Sequence, residues 1–405
     1  MTKIIVLGGC GAVGSVAVST LASLPDFSEI IIGDINIERA HRIIAELGSQ
    51  KVKPLQVDAG DPESLKSAVL KADIVLNCIG PFYIFGPRIL KAAIEARKNY
   101  VDVCDDVDAT IELLEMNTIA QQSNITALIG MGSSPGVTNL LAKYAADNLL
   151  DEVNSIDIYH AHGGEPFEGP GVIAHRFHAM TADIPVFIDG QFHHVEFFEE
   201  SGKALEEDVA FAKLGTFTVA PYPHPETITL PKYIPGVKKV TNKGTVLPPE
   251  YFQLTADMVR LGLTEEEPLA VQGSTIRPFD FTIAFLRKQR EKILEKTRFG
   301  TQRGCVKVCV SGRLDEHLHS FVFSLASENQ ALGEGTGIPA ALAVTLMKRG
   351  LISEKGVLPP EACIKPMDFM NIMREYLGLE SVGEDSSPLI VESIDRKGNV
   401  TRLRL

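Results

Sequence analysis

Three glycines and one aspartate near the start of the chain have the spacing of a dinucleotide-binding site. Gly9, Gly11 and Gly14 directly follow an apolar run, and Asp34 ends the next apolar run, about 20 residues after Gly14. Such glycines permit a tight turn, let backbone N–H groups approach a pyrophosphate and let the following helix pack on the strand. A carboxylate at the position of Asp34 accepts hydrogen bonds from the adenosine ribose. A glycine turn in an unrelated α/β protein is the alternative interpretation.

Residues at the ends of further apolar runs complete the predicted cofactor site. Ligands of parallel sheets bind beyond the carboxyl ends of the strands, where such residues meet. The predicted cofactor-binding residues are Gly9, Gly11, Ala12, Val13, Gly14, Asp34, Ile35, Asp58, Ala59, Cys78, Ile79, Gly80 and Pro81. We expect NAD as the cofactor because the carboxylate of Asp34 would repel a 2′-phosphate, and Arg39 leaves NADP as the alternative.

Carboxylates follow the fifth predicted strand, beside the expected position of the nicotinamide. Asp102, Asp105 and Asp106 lie within five residues of sequence, and we expect Asp105 to be the one near substrate. The alternative is that Asp106 or Asp108 only caps the next helix. Cys104 is interpreted as a small buried residue beside the substrate rather than as a nucleophile.

A turn of small residues and two basic side chains are the other candidates for substrate binding. Ser133 and Ser134 lie in a Gly-Ser-Pro turn that leaves backbone N–H groups free for a ligand. His175 and Arg176 follow later, and a guanidinium can hold a carboxylate through two parallel hydrogen bonds. A solvated helix face is the alternative for this second pair.

The order of apolar runs predicts which elements hold these residues. Strands alternate with helices over the first part of the chain, which indicates a doubly wound parallel sheet of Rossmann type. From about residue 151 apolar and polar residues alternate with a period of two, so an α+β unit with a largely antiparallel sheet is expected there. Individual strands are predicted at 195–198, 216–219, 305–310 and 317–323, and helices at 282–296, 340–348 and 366–377.

Composition excludes several classes of partner. The chain has 405 residues, 45% of them hydrophobic, and a formal charge of −13. Without clusters of Lys and Arg it does not suit a nucleic acid, and no apolar stretch is long enough to span a bilayer. Six cysteines without paired spacing indicate free thiols, and the first strand begins at the N-terminus without a signal peptide. We therefore expect a cytoplasmic protein that binds neither nucleic acid nor membrane.

Three pairs of histidines were considered as metal ligands. His160 and His162, His175 and His178, and His317 and His319 are each spaced so that both imidazoles share one face of a strand or helix. None of the pairs has a neighbouring cysteine or a fixed acidic ligand in sequence. No metal is expected.

Six motifs together give the chain a family resemblance. They are GGCGAVG at 8–14, DIVLNCIGPF at 73–82, YVDVCDD at 100–106, GMGSSPGVTNLLA at 130–142, GTGIPAALAV at 335–344 and KGVLPPE at 355–361. Through them the chain resembles the saccharopine dehydrogenase-like oxidoreductases over most of its length. The resemblance implies hydride transfer between NAD(P) and a C–N bond of an amino-acid-derived amine or opine, in a homodimer.

The same resemblance implies a division into domains. Residues 1–130 would form the NAD(P)-binding Rossmann domain, to which a helical segment at about 335–380 returns. Residues 131–334 would form the α+β substrate and dimerisation domain, and 381–405 a tail with a hairpin. The small-molecule substrate would lie in the cleft between the domains.

Two positions depart from the family pattern, and one of them is the candidate base. Ser134 stands where an Asp precedes Pro-Gly in saccharopine reductases, and His162 stands where a Cys precedes Gly-Gly. Oxidising an amine requires a group that takes a proton from nitrogen and then activates water on the imine, and imidazole suits both steps near neutral pH. We expect His162 and Asp105 to be catalytic, with a structural, hydrogen-bonded His162 as the alternative.

Three functions remain open from the sequence. The first is an oxidoreductase for a saccharopine-like secondary amine. The second is an amine dehydrogenase resembling lysine 6-dehydrogenase or carboxynorspermidine dehydrogenase. The third is a protein that senses the dinucleotide without turnover.

Overall fold

Two β-sheets organise the chain, which the computed structural model describes over residues 2–166, 168–329, 332–378 and 388–403. The elements up to residue 148 are β1 (Lys3–Leu7), α1 (Ala12–Ser23), β2 (Glu29–Asp34), α2 (Ile37–Leu47), β3 (Val52–Gln56), α3 (Pro62–Val69), β4 (Ile74–Asn77), α4 (Phe82–Glu95), β5 (Asn99–Asp102), α5 (Val107–Glu115), α6 (Asn117–Gln122), β6 (Thr126–Leu128) and α7 (Val137–Asn148). Strands and helices alternate, as the apolar runs predicted.

The middle of the chain supplies most of the second sheet. Its elements are β7 (Glu152–Gly163), α8 (Pro170–Thr181), β8 (Ile184–Ile188), β9 (Gln191–Val195), α9 (Glu200–Lys203), β10 (Glu207–Phe211), β11 (Gly215–Pro221), α10 (Glu226–Tyr233), β12 (Lys239–Leu247), α11 (Pro249–Arg260), β13 (Leu269–Val271), β14 (Ser274–Ile276), α12 (Pro278–Thr297), β15 (Arg303–Leu314) and β16 (His317–Glu328).

The last elements are shared between the two sheets. They are α13 (Leu332–Lys348), β17 (Gly356–Leu358), α14 (Pro360–Cys363), α15 (Pro366–Leu377), β18 (Leu389–Ile394) and β19 (Val400–Leu403). β17 pairs with β6, whereas β18 pairs with β16 and then with β19. Residues 379–387, which include the start of the predicted tail, lie outside the described part of the chain.

The first sheet confirms the predicted Rossmann fold. Its seven strands are parallel in the order β17-β6-β5-β4-β1-β2-β3, so the strand order reverses beside β1. Buried apolar side chains of β1 and β4 fill both faces, because helices cover the sheet on each side. The ends of β1, β4 and β5 therefore meet at one edge, where ligands of such sheets bind.

The second sheet is mixed rather than uniformly antiparallel. Its ten strands follow the order β10-β11-β12-β7-β15-β16-β18-β19, with β8 and β9 branching from β12. All of its pairs are antiparallel except β7 with β12, which the long crossover through α8 and α10 makes possible. The prediction of a largely antiparallel sheet is correct apart from this pair.

Two predicted elements have different limits in the structure. The strand predicted at 195–198 is wrong beyond Val195, where β9 ends; Phe197 instead packs its ring against Phe198 in the core. The helix predicted from Ala340 begins already at Leu332, so its glycines lie inside α13. A Cβ at Gly337 would lie 2.6 Å from the carbonyl oxygen of Val13, so these glycines let α13 pack closely on α1.

No helix among the described residues is both long enough and apolar enough to cross a bilayer.

Candidate active site

The glycine turn after β1 forms a cradle that fits a phosphate group. Gly8 has a φ of +73°, and the N–H of Gly11 donates to the carbonyl of Gly8 at 2.9 Å. A Cβ at Gly14 would lie 2.2 Å from that same carbonyl oxygen, so only glycine allows this approach. α1 begins at Ala12. Within the described part of the chain, no side chain caps its N-terminus, and its first turn contains no acidic residue. Its free N–H groups thus offer an anion site that suits the pyrophosphate of a dinucleotide.

Asp34, at the end of β2, shapes the neighbouring position for the ribose. Its Oδ2 accepts the backbone N–H of Cys10 at 2.9 Å, and its Oδ1 accepts the N–H of Asn36 at the same distance. Each carboxylate oxygen has a second lone pair, so these bonds orient the group and leave acceptor capacity for a ribose hydroxyl. Asp34 thus connects the phosphate turn to the start of α2.

The other predicted cofactor residues line the same edge of the sheet. Cys78 follows β4 and donates its N–H to the carbonyl of Leu7 at 2.8 Å, which brings the turn from Cys78 to Pro81 beside Gly8. Asp58 and Ala59 follow β3 on the side of Asp34, and Ile35 has a largely exposed side chain there. Every predicted cofactor residue is thus at the carboxyl edge.

Asp105 and Asp106 hold an imidazole that comes from the second part of the chain. His175, on α8, has Nδ1 at 2.8 Å from Oδ1 of Asp106 and Nε2 at 3.5 Å from Oδ2 of Asp105. Burial alone would lower the pKa of His175, but Asp105 and Asp106 outweigh it and raise the pKa to about 9. The imidazole is therefore a cation at neutral pH, paired with two carboxylates.

Asp106 caps a helix, although not the one considered from the sequence. Its Oδ2 accepts the N–H groups of Phe82 and Tyr83, at the start of α4, at 3.0 and 3.2 Å. It makes no side-chain bond to α5 within the described chain, even though it precedes that helix. The position of Asp105 differs, because about a third of its side chain is exposed (35%).

Cys104 and Asp102 are enclosed instead of facing a ligand. The Sγ atom of Cys104 lies 3.6 Å from the hydroxyl of Thr110, and the residue is fully buried. Oδ1 of Asp102 accepts the N–H of Cys104 and of Gly130, which ties β5 to the turn after β6. Burial raises the pKa of the Cys104 thiol well above its usual range, so it is not nucleophilic.

Ser134 is linked to three residues that the sequence did not indicate. Its hydroxyl donates to Oε1 of Glu226 at 2.5 Å and lies 3.4 Å from Nδ1 of His224. Asn242 of β12 donates to the same hydroxyl at 3.2 Å. Ser133, the preceding residue, is half-buried in the same turn, beside Gly335 of α13.

Aromatic rings surround this group from the second sheet. His160 of β7 stacks on His224 with ring centroids 5.2 Å apart, and Tyr222 lies edge-on to His160 at 5.3 Å. Burial lowers the pKa of His160 well below its usual range, so His160 is neutral. His175 also lies near Tyr222, at 6.2 Å between centroids.

His162 lies two residues further along β7, on the same face as His160, and is paired with an acid. Its Nδ1 is 2.7 Å from Oε1 of Glu165, and a quarter of its side chain is exposed (25%). Burial alone would raise the pKa of Glu165, but His162 and Arg290 outweigh it and lower the pKa to about 2. The pair is thus a carboxylate that orients an accessible imidazole.

Arg176 binds a carboxylate of the protein itself. Its Nη2 donates to Oε1 of Glu168 at 2.5 Å, and its guanidinium lies over the ring of Tyr251. The solvated helix face considered for it is wrong, because only 2% of the residue is exposed. Its Nη1 atom is buried and has no hydrogen-bond partner among the described residues, so one donor remains for a ligand.

Sequence reasoning missed the residues that reach the site through long-range pairing. His224 and Glu226 lie at the start of α10, and Tyr222 and Asn242 lie on either side of it in the chain. The segment YPHPET has no motif spacing that indicates an active site. The pairing of β12 with β7 brings these residues beside His160.

Family models match both parts of the chain. Residues 4–128 match the saccharopine dehydrogenase NADP binding domain, and residues 132–379 match the saccharopine dehydrogenase C-terminal domain. The chain belongs to the saccharopine dehydrogenase family. The resemblance found in the motifs is therefore confirmed, and the protein is an NAD(P)-dependent oxidoreductase of that family.

Individual relatives of this family member cover nearly the whole chain. Carboxyaminopropylagmatine dehydrogenase of Synechocystis is 25% identical over 89% of this chain and 92% of its own length. Carboxynorspermidine synthase of Vibrio cholerae is 27% identical over 90% of this chain and 93% of its own. The solved apo saccharopine dehydrogenase (L-Glu forming) of Saccharomyces cerevisiae has the same fold, with a TM-score of 0.66 at 17% identity over 93% of this chain and 98% of its own.

Proposed function

We propose that this family member transfers hydride between NAD(P) and a secondary amine that joins an amino-acid carbon to a polyamine-like chain. The names of the two relatives above support a carboxylated polyamine as substrate, which was the alternative to saccharopine in the sequence analysis. Both relatives match this chain over about nine-tenths of its length.

One observation carries the proposal. The phosphate cradle after β1 and the acid–imidazole groups lie at the same edge of the first sheet, because Asp105 and Asp106 at the end of β5 hold His175 of α8. Such an arrangement brings proton-handling groups to the place where ligands of a Rossmann sheet react. The third function considered, sensing without turnover, does not call for such groups.

The residues of the chain would divide the chemistry as follows. NAD(P)⁺, when bound, supplies the hydride acceptor. Nε2 of His162 would take the proton from the substrate nitrogen, and Glu165 would stabilise the imidazolium that results. Asp105 would hold the cationic amine before reaction, and the free Nη1 of Arg176 would bind the substrate carboxylate. Ser133, Ser134 and His175 would complete the substrate site.

Of the two cofactors, the orientation of Asp34 supports NAD and the family description supports NADP. We propose NAD, since the carboxylate would repel a 2′-phosphate beside the ribose.

Cytoplasmic location is supported by the six free cysteines. A homodimer is supported by the exposed β13–β14 hairpin, where Leu269 is 55% and Val271 45% exposed.

Initial-rate assays test the proposal. Purified full-length protein is given NAD⁺ or NADP⁺ with carboxynorspermidine, carboxyaminopropylagmatine, saccharopine or lysine, and reduced cofactor is measured. We expect turnover with a carboxylated polyamine and little with lysine. Turnover with saccharopine alone would contradict the substrate class, and tight NADH binding without any turnover would support the sensor.

A further inference from the structure

Glu226 is a fully enclosed carboxylate, and the side chains that contact it can all carry protons. It is fully buried (0%) at the first position of α10. Its Oε1 accepts from the hydroxyls of Ser134 at 2.5 Å and Thr138 at 2.9 Å, and its Oε2 lies 3.3 Å from Nδ1 of His224. Burial alone would raise the pKa of Glu226, but His224 and then Ser134 outweigh it and lower the pKa.

The two ring nitrogens of His224 therefore have different surroundings. Its Nδ1 faces Glu226 and Ser134, and its Nε2 makes no hydrogen bond within the described residues. The stacked ring of His160 fixes the plane of the imidazole, and Tyr222 borders it at 5.5 Å. A carboxylate on one ring nitrogen that leaves the other free is how proteins orient an imidazole for proton transfer.

His224 also lies within the electrostatic reach of the cleft. Burial raises the pKa of Asp105, and His175 and His224 act against this shift. Asp105 therefore interacts electrostatically with two imidazoles, one on α8 and one before α10. The titratable groups in contact with His224 are Glu226, His160 and Tyr222, and Asp105 interacts with it electrostatically.

We propose that His224 is a second acid–base catalyst of the site, that Glu226 is its positioning residue and that the pair serves the hydrolysis of the imine. The inference rests on the proposed function and divides the two proton transfers that the sequence analysis assigned to His162 alone. His162 takes the proton from nitrogen while hydride leaves carbon. Nε2 of His224 then takes a proton from the water that attacks the imine carbon.

The second step balances without any further reagent. The O–C bond forms as the C=N electron pair moves to nitrogen and the water proton moves to Nε2 of His224. The C–N bond then breaks as that proton passes to the leaving nitrogen and the hydroxyl proton of the carbinolamine passes to Nε2 of His224, which yields a carbonyl product and a free amine and later releases this proton to solvent. In the reverse direction the same imidazole assists condensation of the amine with the carbonyl compound.

Rapid-mixing kinetics separate the two histidines. The enzyme is mixed with NAD⁺ and carboxynorspermidine, and the first turnover is compared with the steady state. For H224Q we expect a fast first turnover of reduced cofactor followed by a steady-state rate about 100-fold below wild type. For E226Q we expect the same pattern with a drop of about 10-fold, and recovery in E226D. H162A should lose the first turnover as well.

H319Q is the matched control. His319 lies on β16 and hydrogen-bonds the hydroxyl of Ser393 on β18 at 2.6 Å, so its loss should leave both phases unchanged. Wild-type steady-state rates in H224Q or E226Q would overturn the inference while leaving the proposed function intact. A lost first turnover in H224Q would also overturn it, since His224 would then act before hydride transfer.

NMR of nitrogen-labelled histidine gives a readout that does not depend on turnover. Wild-type His224 should be protonated at Nδ1 by its contact with Glu226, and E226Q should change that tautomer preference in a protein that unfolds at a similar temperature. An unchanged His224 spectrum in E226Q would overturn the positioning role. The absence of turnover with every substrate would count against the proposed function alone.

Discussion

Oδ1 of Asp106 lies 2.8 Å from Nδ1 of His175, while Oδ2 of the same aspartate accepts two backbone N–H groups at the start of α4. One carboxylate thereby fixes a helix of the Rossmann sheet and an imidazole of α8. Because Asp105 approaches the other ring nitrogen, His175 is clamped from both sides. This contact places α8, with His175 and Arg176, over the cofactor edge.

The His175 clamp predicts a pH-dependent stability. The pKa of His175 is raised from 6.5 to about 9, so its contribution is fully present below about pH 6.5 and is lost as pH rises through 9. The pKa of Asp106 is lowered, so the contribution of Asp106 is lost only when pH falls through its folded value, below the usual 3.8. Between pH 6.5 and 9 the unfolding free energy of the wild type should fall by up to ~3 kcal/mol. The unfolding free energy of H175Q should not show this fall. Urea unfolding at a series of pH values measures this, and parallel curves for the two proteins would contradict it.

The second prediction concerns the choice of cofactor. D34S removes the carboxylate proposed to face the ribose and to repel a 2′-phosphate, so NADH affinity should fall by about 10-fold and any preference for NADH over NADPH should shrink. Titration of both reduced cofactors by fluorescence measures the change. D73S is the matched control, because Asp73 also accepts a backbone N–H, from Lys3, but at the opposite end of β1. An unchanged cofactor ratio in D34S would remove Asp34 from the ribose site.

The third prediction tests the glycine cradle. In G14A the new methyl group would meet the carbonyl of Gly8, and the displaced turn should weaken NADH binding by about 10-fold or more and destabilise the fold by about 1–3 kcal/mol. Gly86, inside α4, is the control, since its Cβ would lie 3.5 Å from the ring of Phe82. G86A should bind NADH normally and gain up to ~1 kcal/mol from helix propensity. Equal NADH affinity in G14A and wild type would contradict a role of the glycine turn in binding the cofactor.

The fourth prediction concerns His162. H162A should lower kcat by about 100-fold or more while NADH affinity stays intact, because in the proposed mechanism the imidazole acts on the substrate nitrogen and not on the cofactor. Glu165 keeps its contact with Arg290, so the fold should tolerate the change. H193A, which removes an exposed imidazole of β9, is the control. A near-normal kcat in H162A would take His162 out of the reaction.

The Rossmann part of the fold was predictable because its signals are local. The glycine turn, Asp34 and the alternation of short apolar runs each depend on a few neighbouring residues, and the parallel sheet follows from their order. The limits of α13 were missed because its glycines usually end a helix, whereas here Gly337 makes room for α1. This role of the glycine becomes visible only when the packing of α13 on α1 is known.

The site was predictable in part for the same reason. Asp105 follows β5 and His162 lies near the end of β7, so sequence order places each of them at the edge of a sheet. Glu226 and His224 reach the cleft only through the pairing of β12 with β7, which no short motif encodes. Arg176 was expected to meet a substrate carboxylate, yet Glu168, eight residues earlier, occupies one side of its guanidinium.

Isotope transfer tests the central claim most directly. Carboxynorspermidine carrying deuterium on the carbons bound to its secondary nitrogen is incubated with the protein and NAD⁺, and the reduced cofactor is analysed by mass spectrometry. Hydride transfer from a C–N carbon predicts one deuterium on the nicotinamide ring for each turnover. Reduced cofactor without deuterium, or bound cofactor that is never reduced, would contradict the account.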